Sequence, residues 1–172
     1  CYAHLGGREK GAVVAFNAAD GQKLWDLKGH PATYSSPVMI QVDGEKVLVV
    51  QTENDLIGIS MEGKLLWQEP TPGERRFYNS STPVIHGSNI IIAGQGLGTK
   101  SFKVTNTDGR FSLSENWSNA GYGVSFNTPL LKKGYLYGHE ARLGKLFCLN
   151  AETAQTCWAD TTAHNRFASN IC

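Results

Sequence analysis

The stretch "AFNAADGQKLW" (Ala15–Trp25) decides the fold, because its skeleton returns 133 residues later as "CLNAETAQTCW" (Cys148–Trp158). Both phrases begin with a small residue, place Asn two positions later and end on Trp. An Asn side chain at the start of a turn accepts hydrogen bonds from nearby backbone amides, and a later Gly supplies positive φ. Each phrase therefore predicts a hairpin of two short strands, with the Trp as an apolar anchor for a neighbouring element.

A longer repeat surrounds these phrases. The tripeptides "SSP", "STP" and "NTP" end at Pro37, Pro83 and Pro129, so successive prolines are 46 residues apart. Each proline is followed by a short apolar run, a turn, two β-rich runs and a hairpin that carries Trp, without helical periodicity. Four short antiparallel strands in about 45 residues are typical of one β-propeller blade.

The predicted fold is therefore all-β: a β-propeller of four-stranded antiparallel blades, with about three and a half blades forming a partial ring. The predicted blades cover residues 1–32 (partial), 33–78, 79–124 and 125–166, and 167–172 begin the next blade. A single blade cannot bury both of its faces, so blades must stack around an axis. We expect the chain to be part of a longer protein, with a lipid-anchored Cys1 as the alternative explanation of its first residue.

Composition narrows the classes of partner. The 172 residues carry a formal net charge of +1, which gives no reason to expect binding to nucleic acid or to an anionic membrane. No apolar run approaches the roughly 18 residues of a membrane-spanning helix, and no signal peptide is visible in this segment. The four cysteines lack the spacing of metal ligands, and Cys148 and Cys157 are expected to be packed thiols, with a cross-strand disulfide as the alternative.

The repeated phrase resembles the pyrroloquinoline quinone (PQQ)-type propeller repeat, Ala-x-Asp-x-x-Thr-Gly-x-x-x-Trp. The first copy matches at Ala15, Gly21 and Trp25, with Asn17 and Asp20 as departures. The last copy matches at Thr153 and Trp158, and the two middle units retain a turn Gly and a Trp, which are Gly63, Trp67, Gly109 and Trp117. The resemblance extends over essentially the whole chain and implies the propeller fold.

The resemblance implies less about function, because one fold hosts many functions. The family contains quinoprotein dehydrogenases with PQQ and calcium at the ring axis, and cofactor-free propellers that act in outer-membrane-barrel assembly. We expect a non-catalytic binding or scaffolding propeller in the periplasm or another extracytoplasmic space, with no catalytic residue, metal or cofactor in this segment. The alternatives are a PQQ-dependent alcohol-type dehydrogenase whose active site lies mostly outside this segment, and an enzyme that uses another cofactor.

The expected partner is another protein or an unidentified small ligand. In a propeller, loops from the fourth strand of one blade to the first strand of the next share a face with the loops between second and third strands. Aromatic and Arg side chains on such loops are favoured at binding surfaces. The candidate binding residues are Arg75, Arg76, Phe77, Tyr78, Tyr122, Phe126, His139 and Arg166.

Overall fold

The computed structural model describes residues 1–7, 10–73 and 79–165, which fold into β-strands and turns. In chain order the strands are β1 (Tyr2–Leu5), β2 (Ala12–Phe16), β3 (Lys23–Lys28), β4 (Val38–Val42), β5 (Glu45–Gln51), β6 (Asp55–Ile59), β7 (Leu65–Pro70), β8 (Val84–His86), β9 (Asn89–Gly94), β10 (Gly98–Thr107), β11 (Arg110–Asn119), β12 (Leu130–Lys132), β13 (Tyr135–His139), β14 (Leu146–Asn150) and β15 (Thr156–Ala159).

These strands form four antiparallel sheets in sequence order, β1–β3, β4–β7, β8–β11 and β12–β15, which we call the first to fourth blades. The first blade has three described strands and each of the others has four. The predicted all-β propeller architecture is confirmed. The expected start of a further blade at 167–172 lies outside the described residues.

The three repeated prolines stand directly before the first strand of a blade. Pro37 precedes β4, Pro83 precedes β8 and Pro129 precedes β12, as expected from the repeat. Between them, the amide of Ser36 donates to Oγ1 of Thr82 and the amide of Thr82 donates to Oγ1 of Thr128, both at 3.1 Å. The first strands of neighbouring blades therefore lie side by side along the inner edge of the ring.

Each blade has a β-bulge at the same place, in the residue that precedes Trp. In the first blade Ala15 pairs with Trp25 and Phe16 pairs with Lys23, so Leu24 is the extra residue. The same shift leaves Leu66, Asn116 and Cys157 as the extra residues of the other blades. A bulge bends and twists its strand, and here it sets the direction in which the following Trp projects.

The strand position opposite each Trp carries a small residue. The four cross-strand partners are Ala15, Gly58, Ser101 and Cys148. At Gly58 the indole of Trp67 lies so close that a Cβ atom would stand 2.1 Å from Cε2 of the ring. The small first residue of the repeated phrase therefore makes room for the indole.

Three of the four tryptophans pack on the next blade. Trp67 is 8% exposed and packs among Ile90, Ile92 and Phe102 of the third blade. Nε1 of Trp25 donates to the carbonyl of Met61 at 2.8 Å, and Nε1 of the half-buried Trp117 donates to the carbonyl of Ala151 at 3.1 Å. The tryptophans thus connect blades, as the sequence predicts.

We predict that Trp67→Ala lowers the free energy of unfolding by about 3–5 kcal/mol, because it removes a buried aromatic ring from the junction of two blades. Urea denaturation followed by circular dichroism measures this change. Leu24→Ala is the control: Leu24 is 63% exposed, so its loss should change stability by less than about 0.5 kcal/mol. Equal effects of the two substitutions would contradict the docking role of Trp67.

A second prediction compares two equivalent positions opposite Trp. Gly58→Ala should lower the free energy of unfolding by about 1–3 kcal/mol, because the new methyl group overlaps the indole of Trp67. Ser101→Ala should change stability little, because it adds no atom and removes a buried hydroxyl that has no hydrogen-bond partner in the described ranges. Urea denaturation of both variants tests the pair, and an unaffected Gly58→Ala protein would show that the close packing is not needed.

Candidate functional site

The loops expected to share one face of the ring do share it. The amide of Glu53, in the turn after β5, donates to the carbonyl of Pro31, in the loop after β3, at 3.1 Å. The amide of Ala141 donates to the carbonyl of Gly123 at 2.8 Å, which joins the turn after β13 to the loop after β11. We call this surface the axial-loop face; its described loops are 6–7, 10–11, 29–37, 52–54, 71–73, 79–83, 95–97, 120–129, 140–145 and 160–165.

Five of the eight candidate binding residues lie outside the described residues: Arg75, Arg76, Phe77, Tyr78 and Arg166. The other three, Tyr122, Phe126 and His139, belong to the third and fourth blades or to the loop between them. Their environments differ, so each plays a different part in the face.

Tyr122 packs at the junction of the third and fourth blades. Its ring centroid is 4.8 Å from that of Phe147, which is fully buried, and its side chain is half-buried. Its carbonyl accepts a hydrogen bond from Oγ1 of Thr99 at 2.5 Å. These contacts fix the loop after β11 on the two blades, so Tyr122 supports the face with its ring and forms only part of its surface.

Phe126 presents its ring to solvent together with a second aromatic residue. Phe126 has a φ of 58°, is 48% exposed, and has its ring centroid 6.1 Å from that of Tyr34, which is 71% exposed. Tyr34, Ser80 and Phe126 follow one another at intervals of 46 residues and precede the hydrogen-bonded Ser36, Thr82 and Thr128 by two. At the equivalent position before the third blade stands the small Ser80. The rings of Tyr34 and Phe126 therefore meet across the third blade.

Tyr34 is not among the eight candidate binding residues predicted from the sequence. The repeat interval would have placed it there, because Phe126 lies two intervals of 46 residues after Tyr34. We call Tyr34 and Phe126 the aromatic pair. Both residues are exposed, and their loops lead into the first strands β4 and β12.

His139 is buried, with 1% of its surface exposed, so its imidazole does not contact a partner protein directly in this arrangement. Strand pairing makes it equivalent to His4 and Gln51 in the first and second blades. Nε2 of His4 lies 3.0 Å from the carbonyl of His30, and Nε2 of Gln51 donates to Oγ1 of Thr71 at 2.9 Å. At this position the side chain holds the loop that leaves its own blade. Among the described residues, neither ring nitrogen of His139 has such a partner.

A trough of about 570 Å³ lies on the axial-loop face, between the turn after β13 and the loop after β15. Glu140, which lines it, accepts hydrogen bonds from the amides of Arg142 and Leu143, both at 2.7 Å, so this carboxylate shapes the turn. The carboxylate of Asp160 accepts from the amide of Thr162 and contacts His164, and these two bonds lower the pKa of Asp160. Both carboxylates are engaged by loop atoms.

Metal-binding residues are not gathered in the described part of the chain. Residues 1–7, 10–73 and 79–165 contain no group of three or more His, Cys, Asp or Glu side chains that could hold an ion. Cys148 and Cys157 are both free thiols, and burial raises the pKa of the Cys148 thiol. In the same ranges no helix is long and apolar enough to cross a membrane.

Comparison with known proteins identifies related sequences and folds. A family model described as outer membrane protein assembly factor BamB matches residues 3–160. Among solved structures, BamB from Moraxella catarrhalis is similar with a TM-score of 0.58 and 12% identity, over 93% of this chain and 51% of that one. No curated protein sequence matches at a significant level.

Two further solved structures share the fold. The computationally designed Ika8 protein has a TM-score of 0.61 and 13% identity, over 97% of this chain and 51% of that one. A europium-containing methanol dehydrogenase has a TM-score of 0.57 and 10% identity, over 96% of this chain and 40% of that one. The chain thus spans about half the length of the similar structures, and at these identities the likeness shows the fold alone.

The histidines that border the axial-loop face predict a pH dependence of stability. Burial lowers the pKa of His4 and that of His30, whereas unfolded histidines titrate near 6.5. The unfolded chain therefore takes up protons first, and stability present above about pH 6.5 is lost as the pH falls toward the folded-state values. We expect the melting temperature to fall between about pH 7.5 and 5, and to fall less in His4→Gln, since Gln51 occupies the equivalent position in the second blade. If the His4→Gln variant had the same pH profile of melting temperature as the unchanged protein, the attribution of this pH dependence to His4 would be wrong.

Proposed function

Because the chain belongs to the family of the outer membrane protein assembly factor BamB, we propose that it is a non-catalytic propeller that binds another protein through its axial-loop face. We place it outside the cytoplasm, in the periplasm or an equivalent space, by analogy with that family. The binding residues in this proposal are Tyr34 and the residues predicted from the sequence other than the buried His139.

The observation that carries the proposal is the exposed aromatic pair. Aromatic side chains in a desolvated contact provide much of the binding energy of protein interfaces, often about 2 kcal/mol or more for one residue. Tyr34 and Phe126 are 71% and 48% exposed although their loops stand beside the inner strands of the ring. Residues at this position of the repeat lie close to the axis of the ring. The residues that neighbouring blades place there therefore form a single surface.

The opposite face is explained by construction. Its hairpins contain Asx and Ser turns, in which Asn17 accepts from the amide of Ala19 at 3.0 Å and Ser60 accepts from that of Glu62 at 3.2 Å. These residues are accounted for by turn chemistry. The axial-loop face has a pair of exposed aromatic residues with ring centroids 6.1 Å apart, which turn chemistry does not require.

A quinoprotein dehydrogenase is the alternative, and the described residues do not fit a quinone–calcium site. Trp25, Trp67 and Trp117 pack on neighbouring blades and Trp158 stands at the same outer position, so none is available as the floor of a site at the axis. The described carboxylates do not form a cluster of calcium ligands. These observations favour a protein-binding role without PQQ or calcium in this part of the chain.

The test places a photo-crosslinking phenylalanine analogue at Phe126 in the full-length protein, expressed in cells. We expect a discrete covalent adduct with a protein partner, which Tyr34→Ala weakens because the ring of Tyr34 contacts that of Phe126. The matched control places the analogue at Leu24, which is 63% exposed on an outer strand and should give no adduct. An adduct at Leu24 and none at Phe126 would contradict the choice of face.

Two further experiments test the choice of face and the dehydrogenase alternative. Arg75→Glu with Arg76→Glu should reduce the adduct, whereas Lys23→Glu with Lys64→Glu on the opposite hairpins should not. Titration of the 172-residue chain with PQQ and calcium, followed by quinone absorbance, should give no stoichiometric binding. Stoichiometric binding that Arg75→Glu with Arg76→Glu abolishes would favour the dehydrogenase.

A further inference from the structure

The fourth blade has cysteines at two positions of the Trp hairpin, the small residue opposite the Trp and the bulge residue before it. Cys148 of β14 pairs with Trp158, and Cys157 of β15 is the extra residue of the bulge. In the first three blades the corresponding pairs are Ala15 with Leu24, Gly58 with Leu66 and Ser101 with Asn116. The repeat therefore explains why position 148 is small, but it requires sulfur at neither position.

The β-bulge brings the two thiols together. In a bulge, two successive residues oppose one residue of the partner strand, so Cys157 and Trp158 both oppose Cys148. Adjacent strands lie about 4.8 Å apart, within the Cα–Cα separation of about 4.4–6.8 Å that a disulfide spans. The thiol of Cys148 interacts directly with that of Cys157, and burial together with this contact raises the pKa of Cys148.

The two thiols differ in their access to solvent. Cys148 is 2% exposed, and its thiol lies between Tyr137, with which it shares a side-chain hydrogen bond, and Trp158. Cys157 is exposed, and its thiol donates to the carbonyl of Gln155 at 3.8 Å. Cys157 is therefore the sulfur that a reagent in solution contacts, and Cys148 is the sulfur that can react with it from within the blade.

The exposure of Cys157 is typical of the bulge position on an outer strand. Leu24 and Asn116 hold this position in the first and third blades, and both are exposed although a described blade follows each of them. In the second blade Leu66 is half-buried, where the long strand β11 contacts its own strand β7. A following blade covers the Trp of the hairpin and leaves the bulge residue accessible in two of these three cases.

We propose that Cys148 and Cys157 are a redox site that forms a reversible disulfide within the Trp hairpin of the fourth blade. The oxidant is a disulfide compound, for which glutathione disulfide is the probe. This inference concerns the thiol pair and is independent of protein binding through the axial-loop face. An oxidising extracytoplasmic space favours the disulfide form, whereas a reducing compartment keeps both thiols.

The reaction is a thiol–disulfide exchange in two steps. Cys157 loses its proton to solvent, and its thiolate attacks one sulfur of glutathione disulfide, which forms a mixed disulfide and releases one glutathione. Cys148 then loses its proton, its sulfur bonds Sγ of Cys157, and the second glutathione leaves. The two protein thiols are thereby oxidised by two electrons, and glutathione disulfide is reduced to two glutathione thiols, which recover the two protons.

The order of the steps follows from the environments of the two sulfurs. The thiolate is the attacking species, and the raised pKa of Cys148 leaves little thiolate near neutral pH. Cys148 is also buried, so it does not contact glutathione disulfide in solution. Cys157 therefore makes the first attack, and Cys148 resolves the mixed disulfide.

Equilibration of the folded chain in buffers of defined glutathione to glutathione disulfide ratio tests the proposal. The chain carries Cys1→Ser with Cys172→Ser, so that Cys148 and Cys157 are its remaining cysteines. Mass spectrometry after acid quenching and alkylation counts free thiols and bound glutathione. We expect a chain with neither free thiol nor bound glutathione in the most oxidising buffers, and complete return to two free thiols with dithiothreitol.

Two single variants of this chain separate the roles of the sulfurs. Cys148→Ser should stop at a stable glutathione adduct on Cys157, because no resolving thiol remains. Cys157→Ser should take up glutathione at least about tenfold more slowly than Cys148→Ser, because its thiol is buried and mostly protonated. Equal rates in the two variants would contradict the assigned order.

The matched control moves the exposed thiol by one residue, in Cys157→Ser with Thr156→Cys. Thr156 is also exposed, but it pairs with Leu149, so its side chain lies on the other face of the blade from Cys148. This variant should retain glutathione at position 156 and form no internal disulfide. Circular dichroism establishes that each variant is folded.

Four results would each overturn the proposal. They are two free thiols in every buffer, glutathione on both cysteines without an internal bond, a disulfide that joins two chains, and an internal disulfide that forms equally well in the matched control.

Discussion

The packing of a Trp side chain on the next blade is the interaction on which the rest of the structure depends. It requires two local features together, a bulge before the Trp and a small residue opposite it, and for Trp25 and Trp117 a turn carbonyl on the neighbouring blade adds a hydrogen bond. Ala15, Leu24 and Trp25 show both features within one hairpin, and Met61 supplies the carbonyl. Because a blade cannot bury its own faces, these contacts are also what forms the core: the three apolar clusters each span a junction between blades.

This dependence explains why the fold is readable from sequence. The repeat imposes the same requirement on every blade, so the same residue types return at the same spacing, and Pro37, Pro83 and Pro129 are followed directly by first strands. The small residue at the start of the repeated phrase is explained only by the structure. Its requirement for smallness comes from an indole that is nine to sixteen residues away in sequence, at Trp25, Trp67, Trp117 and Trp158.

The features that sequence did not predict are those in which one blade departs from the repeat. The hairpin of β10 and β11 has strands of ten residues each. Strand β10 therefore continues past the position at which the third strands of the second and fourth blades end in a turn. Within the described part of the chain, Nε1 of Trp67 then has no carbonyl partner, unlike those of Trp25 and Trp117. The burial of His139 was also missed, because its equivalence to His4 and Gln51 follows from strand pairing and not from a shared residue type.

The two faces of the ring are under different physical constraints, and this separates construction from function. On the hairpin face, a change of residue alters a turn that also receives the Trp of the preceding blade, as Gly63 receives Trp25, so the sequence there is tied to assembly. On the axial-loop face, the loops are held by backbone hydrogen bonds such as that from Ala141 to Gly123 and by a few side chains, such as those of Thr99 and Gln51. Exposed positions between these anchors, such as Tyr34 and Phe126, carry large aromatic side chains, which is why we assign recognition to this face and blade attachment to the other.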